Sequence, residues 1–166
     1  MSKAAKVLIL MGSDSDLPVM KDTVDVLKSF DVEVEVRVLS VHRCPEEALK
    51  VASNAEKNGF RVIIAAAGHA AHLAGAVAAH TVLPVIGVPI ESGPLRGLDA
   101  LYATVMMPPG VPVGTMAIGG SRNAAIFAIE ILGTSDESIR SALHDYKKSL
   151  AKKVLAKDEK VQLELG

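Results

Sequence analysis

The sequence predicts a three-layer α/β fold: a five-stranded, flavodoxin-like doubly wound parallel sheet of order 2-1-3-4-5, with helices on both faces and a C-terminal helix. Three observations carry the prediction. The stretch Val62 to Ile90 reads VIIAAAGHAAHLAGAVAAHTVLPVIGVPI, 29 residues without Lys, Arg, Asp or Glu. Short apolar runs alternate along the whole chain with helix-period segments, as βαβαβαβαβαα, which demands parallel strands and right-handed crossovers. Val32, Val34, Val36 and Val38 alternate strictly with Glu33, Glu35 and Arg37. That is the pattern of a half-exposed edge strand, and order 2-1-3-4-5 puts strand 2 at an edge.

The elements follow in order. Val7 to Met11 is a fully apolar strand that stops at Gly12-Ser13-Asp14-Ser15-Asp16. The next helix has Pro18 in its first turn, Asp16 as its cap, and Val19, Met20, Thr23, Val24, Leu27 and Phe30 on its buried face. After the edge strand and the turn Ser40-Val41-His42-Arg43, a second helix runs from Cys44-Pro45 to about Asn58, with Glu46 and Glu47 in its first turn as the dipole prefers, and Gly59 closes it. Val62 to Ala67 is a strand covered on both faces. Gly68-His69 turns into an Ala-rich helix, Ala70 to His80. It has no polar stripe and must be buried all round, one face against another subunit. A fourth strand ends near Pro89. A loop and a helix from Leu98 to Met106 lead to a fifth strand, Pro112 to Ile118, and a helix from Arg122 to Leu132. Ser135 caps a last helix, about 135–156, with Ile139, Leu143, Tyr146 and Leu150 on one stripe. One domain over 1–166 is expected, with its core in 6–133 and a charged tail.

Composition narrows the function. With 166 residues, 49% hydrophobic, 22% charged and a formal net charge of −1, the chain shows neither a nucleic-acid surface nor a membrane patch. The Gly, His and Pro interruptions of Val62 to Ile90 rule it out as a membrane span, which needs about 20 unbroken apolar residues. Met1 to Lys6 leads into the first strand without a signal-peptide core, and the lone Cys44 fits a reducing compartment, so a cytoplasmic location is expected. A flavin electron carrier would share the topology but needs aromatic shields, and the chain has no Trp and two Tyr. A receiver-type signalling domain needs an acceptor Asp after strand 3, where this chain has Ala67-Gly68-His69.

In this topology ligands bind beyond the strand carboxyl ends at the switch point, so the loops after strands 1, 2 and 3 should converge. All three are rich in small, hydroxyl, imidazole or charged groups. Gly12, Ser13 and Ser15 offer backbone N–H groups and hydroxyls to a phosphate at a helix start, and Asp16 suits sugar hydroxyls; helix capping alone explains the same residues equally well. Ser40 and Arg43 can hold an anion, and between them His42 can carry a proton near neutral pH; a solvated turn with an incidental His is the plainer alternative. Gly68, His69, Ala70 and Ala71 let backbone groups approach a planar ligand. His72 is either a ligand contact or a satisfied buried histidine. No metal is expected, because no Cys is placed near these histidines and their loop holds no carboxylate. His80 and His144 read as structural or surface residues, and Asp99 as a capping or solvent residue.

Taken together, MGSDSD (Met11 to Asp16), SVHRCP (Ser40 to Pro45), AGHAAHLAG (Ala67 to Gly75), LPVIGVP (Leu83 to Pro89), GLDALY (Gly97 to Tyr102), MPPGVPVGTMAIG (Met107 to Gly119) and NAA (Asn123 to Ala125) resemble the N5-carboxyaminoimidazole ribonucleotide mutases of purine biosynthesis and their relatives, the aminoimidazole ribonucleotide carboxylases. The resemblance covers about residues 6–133. It implies a homo-octamer that interconverts N5-carboxyaminoimidazole ribonucleotide and 4-carboxy-5-aminoimidazole ribonucleotide without metal, ATP or organic cofactor. Its small-molecule ribonucleotide would be held at the 5′-phosphate by Ser13, Ser40 and Arg43, and at the ribose by Asp16. His42 would be the proton carrier. Val41, the loop Ala67 to Leu73, and Met107 with Pro108 would enclose the imidazole and the migrating carboxylate. Val41, Cys44, His69 and Ala74 depart from the family's usual Ala, Thr, Gly and Pro. His72-Leu73 matches the mutase branch better than the carboxylase branch, whose members use CO2 directly.

Overall fold

A computed structural model of the chain describes residues 5 to 165. Met1 to Ala4, part of the stretch read as lacking a signal-peptide core, and Gly166 lie outside the described residues. The elements are β1 (Lys6–Met11), α1 (Leu17–Ser29), β2 (Glu33–Val38), α2 (Pro45–Asn54), β3 (Phe60–Ala67), α3 (Leu73–Ala78), β4 (Val85–Pro89), α4 (Leu98–Val105), β5 (Gly114–Thr115), α5 (Ser121–Gly133) and α6 (Glu137–Leu165). The strands form one sheet, β2-β1-β3-β4-β5, and every pairing is parallel.

Side chains alternate across this sheet because strand residues point to opposite faces in turn. Val7, Ile9, Met11, Val62, Ile64 and Ala66 enter one core with α1, α5 and the start of α6. Leu8, Leu10, Ile63 and Ala65 enter the other with α2 and α3. Both faces are therefore dry, and the central strands read as unbroken apolar runs. Thr23, buried in α1, donates its hydroxyl to the Ser121 carbonyl at 2.9 Å and locks α1 to the start of α5.

Several expectations shift. Asp16 does not cap α1 with its side chain; it closes a separate 3-10 turn, Asp14–Asp16, whose cap is Ser13. On α1, Val26 is fully part of the core, while Val19, Val24 and Phe30 are half-buried. The second helix stops at Asn54 rather than Asn58, and turns carry the chain to Gly59, whose φ of 86° suits glycine. The Ala-rich helix is only Leu73–Ala78. Residues 70–72 stay in the loop because His69 takes a left-handed φ of 50° that no helix continues from. Only Leu73, Ala74 and Val77 of that helix are buried within this chain. The fifth strand shrinks from seven residues to two: beyond the pairs Ile86↔Gly114 and Gly87↔Thr115 it keeps only isolated bonds, from Met116 N–H to Gly87 and from Gly119 N–H to Pro89. Asp136, not Ser135, caps α6, accepting the N–H groups of Ser138 and Ile139 at 2.9 and 3.1 Å. That helix runs on to Leu165, exposed beyond Leu150.

Candidate active site

The carboxyl ends of β1 and β3 lie side by side, Met11 pairing with Ala66, and β2 flanks β1 through Met11↔Val38. The three loops that leave these ends therefore meet at the switch point. They enclose a cavity of about 360 Å³ lined by Gly12, Ser13, Ser15, Asp16, Ser40, Val41, His42, Arg43, Ala67, Gly68, His69, Ala70, Leu73 and Ser92.

The first loop is held by its own polar groups. Ser13 Oγ accepts the Ser15 N–H at 3.3 Å and the Ser15 hydroxyl at 2.9 Å, and Asp16 Oδ2 accepts the Ser13 N–H at 3.1 Å. The reciprocal capping box fixes this turn. Asp16 is 4% exposed. Burial raises its carboxyl above the usual carboxylate range, with the Asp14 charge adding to the rise, while the Ser13 N–H opposes it.

The second loop turns on Ser40, whose carbonyl accepts the N–H groups of Arg43 and Cys44. This leaves the His42 and Arg43 side chains exposed at the cavity. His42 Nε2 lies 3.0 Å from Nδ1 of His72, rings edge to face. One ring must donate and the other accept, so the pair fixes one proton between them. Arg43 and His42 thus line the same cavity as Ser13 and Ser15.

The third loop is shaped by close approach. A Cβ at Gly68 would fall 2.3 Å from Ser92 Oγ, so only glycine fits there. Ser92 Oγ accepts the His69 N–H at 3.0 Å.

Four residues expected at the site lie off this cavity's wall. Ala71 is buried behind the loop. His72 reaches the site only through His42. Met107 follows α4 and rests its sulfur against Gly75 on α3, and Pro108 is exposed beyond it. The α4–β5 connection leaves the sheet at β4 and β5, away from the switch point, which is why one chain does not bring it to the cavity.

Two nearby residues were not anticipated. Ser92 lines the cavity from the loop after β4, a loop outside the three that the switch-point rule selects. Asp99, read as a capping or solvent residue, sends Oδ2 to within 3.9 Å of His69 Nδ1. Only the turn-rich run Glu91 to Gly97 hinted that this loop folds back. His80 is exposed and donates Nδ1–H to the Ala76 carbonyl, and His144 is exposed on α6. Among the described residues no three His, Cys, Asp or Glu side chains cluster as metal ligands, and no helix is long and apolar enough to cross a membrane.

Fold and cavity define a doubly wound α/β protein with a small-molecule cleft at its topological switch point. The family model described as AIR carboxylase matches residues 6–153, and the chain belongs to that family. It is 49% identical to the N5-carboxyaminoimidazole ribonucleotide mutase of Pyrococcus horikoshii over 99% of this chain and 93% of that one. It is 50% identical to the Mycobacterium leprae protein of the same name over 98% and 95% of the two chains. The crystal structure of Treponema denticola PurE matches with a TM-score of 0.86 at 29% identity, covering 94% of this chain and 98% of that chain.

Proposed function

We infer that the chain is an isomerase of de novo purine biosynthesis that interconverts N5-carboxyaminoimidazole ribonucleotide and 4-carboxy-5-aminoimidazole ribonucleotide. The observation that carries this reading is near-full-length identity of about half to mutases of that name. The cavity adds chemical sense. Ser13, Ser40 and Arg43 line the cavity and would hold a 5′-phosphate through hydroxyls, N–H groups and a guanidinium fork. Asp16 suits the ribose hydroxyls. Val41, Ala67, Gly68, Ala70 and Leu73 wall the space for the base.

The mechanism uses one imidazole twice. Protonated His42 gives its proton to the carbamate nitrogen as the N–C bond breaks, releasing CO2 and leaving the free amine. The ring carbon C4 attacks the held CO2 and forms the new C–C bond. Neutral His42 then takes the proton from C4 and restores the aromatic ring. One proton is given and one recovered, so the reaction balances without other reagents. The held CO2 keeps a large effective concentration, and the apolar wall keeps water from it. His72, in contact with His42 Nε2, shares a hydrogen bond with it and orients its ring between the two steps.

The active form is a cytoplasmic homo-octamer. Exposed Leu98, Tyr102 and Val105 on α4 with Met106 just after it, and the half-exposed Gly75, Ala76 and Ala78 of α3, offer apolar surface for neighbouring copies. In the assembly, Met107 and Pro108 serve a cavity.

The test supplies the purified chain with the N-carboxylated ribonucleotide, and separately with aminoimidazole ribonucleotide plus bicarbonate. Fast turnover of the first at low CO2 is expected. Fast turnover of the second alone assigns the chain to direct carboxylation instead.

A further inference from the structure

Behind the mouth of the cavity stands a carboxylate that the mechanism above does not use. Asp99 lies in the first turn of α4; its Oδ1 is buried with no hydrogen-bond partner, and its Oδ2 is 3.9 Å from His69 Nδ1. An unpaired buried carboxylate oxygen is disfavoured, so the Asp99 carboxylate gains from a cation next to it. His69 stands at ion-pair distance from its other oxygen, Oδ2, with no hydrogen bond between them.

The His69 imidazole is itself held in an unusual pose. Its backbone takes φ 50°, a left-handed conformation that side chains with a Cβ avoid. The neighbouring chain keeps it there: its N–H bonds Ser92 Oγ, and its ring lies so close to Gly93 that a Cβ on that glycine would come within 2.6 Å of Cε1. His69 lines the cavity, and its side chain is 66% exposed. Strain of this kind at a cleft marks a side chain aimed for a purpose.

We propose that Asp99 is a positioning residue that holds His69, proton on Nδ1, so that imidazolium Nε2–H binds the carboxylate carried by the substrate. The proposal rests on the reading of the cavity as the ribonucleotide site and names the part of the substrate that His69 recognises. Both carboxylated ribonucleotides present that anion and the decarboxylated amine does not, so the pair acts as a specificity device for the carboxyl group. The carboxylate–imidazolium–carboxylate line matches charge throughout.

The experiment measures steady-state KM and kcat for the N-carboxylated ribonucleotide, and Kd for aminoimidazole ribonucleotide, in wild type, His69→Gly, Asp99→Asn and the double variant. Glycine suits the left-handed backbone at position 69, so His69→Gly should melt no lower than wild type and separates loss of contact from loss of fold. Each single variant is expected to raise KM by about tenfold, with the larger effect in KM than in kcat. Kd for the uncarboxylated ribonucleotide should stay unmoved, and the double variant should match His69→Gly, because Asp99 acts through His69. Equal weakening of both ligands, effects that multiply in the double variant, or unchanged KM values overturn the assignment. An active wild type with unaffected variants removes this inference alone, whereas an inactive wild type removes the parent reading and this one with it.

Discussion

His42 Nε2 and His72 Nδ1 lie 3.0 Å apart, their rings at 85° to one another. The two residues sit on different loops, the first after β2 and the second at the start of α3, and the contact is the only side-chain hydrogen bond between those loops among the described residues. It gives His42 a fixed partner and a fixed ring orientation. A proton carrier that must donate in one step and accept in the next benefits from both.

His72→Phe keeps a flat ring but removes the nitrogen that meets His42. It should lower kcat by about ten- to a hundredfold, at or below the low end of the roughly hundred- to ten-thousandfold that a general acid–base group itself contributes, while ribonucleotide affinity changes little. A variant with wild-type kcat removes His72 from the mechanism.

Gly68→Ala places a methyl 2.3 Å from Ser92 Oγ. The loop must shift, at an expected stability loss of about 1–3 kcal/mol for overpacking, and ligand affinity should fall with it. Ser92→Gly removes the obstructing hydroxyl and should restore part of the affinity in the double variant. Isothermal titration with the product ribonucleotide across the set reads the coupling; losses that simply add show that Gly68 and Ser92 do not compete for the same space.

Asp16 carries a carboxyl that burial raises above its ordinary 3.8. A raised carboxyl pKa means that the folded state holds its proton longer than the unfolded state does. Its favourable contribution is complete below the unfolded value and is lost as pH rises through the folded value. Asp16→Asn cannot titrate, so its stability should fall less than that of wild type as pH rises above about 4. Urea midpoints across that window measure the difference. Ribonucleotide affinity should drop by about tenfold, since the amide replaces a charge-assisted acceptor.

Much of this was legible in the residues. The Val32 to Val38 alternation marked an edge strand, and the uncharged run through Val62 marked the sheet centre; with them came the strand order, and with the order came the meeting of Ser13, His42 and Gly68. The rest depended on backbone pairing and on contacts distant in sequence. Pro112 to Ile118 is apolar enough for a long strand, yet only Gly114 and Thr115 pair. Periodicity reports which side chains are buried, not which amides find a partner. Ala70 to His80 looked helical from composition, but one left-handed residue, His69, delayed the helix to Leu73. Asp99 lies 30 residues from His69 along the chain, and no spacing rule links the first turn of α4 to the β3 loop. Ser92 was hidden for the same reason: its importance is the 3.0 Å bond to His69 N–H, which exists only once the β3 and β4 loops fold together.

The most direct measurement is the turnover and ligand binding of His42→Asn. The account predicts a rate loss of at least about a thousandfold, because the one group that both gives and takes the proton is gone, with ribonucleotide binding by calorimetry kept within a few-fold of wild type. A His42→Asn enzyme that still interconverts the two carboxylated ribonucleotides at near-normal rate would contradict it.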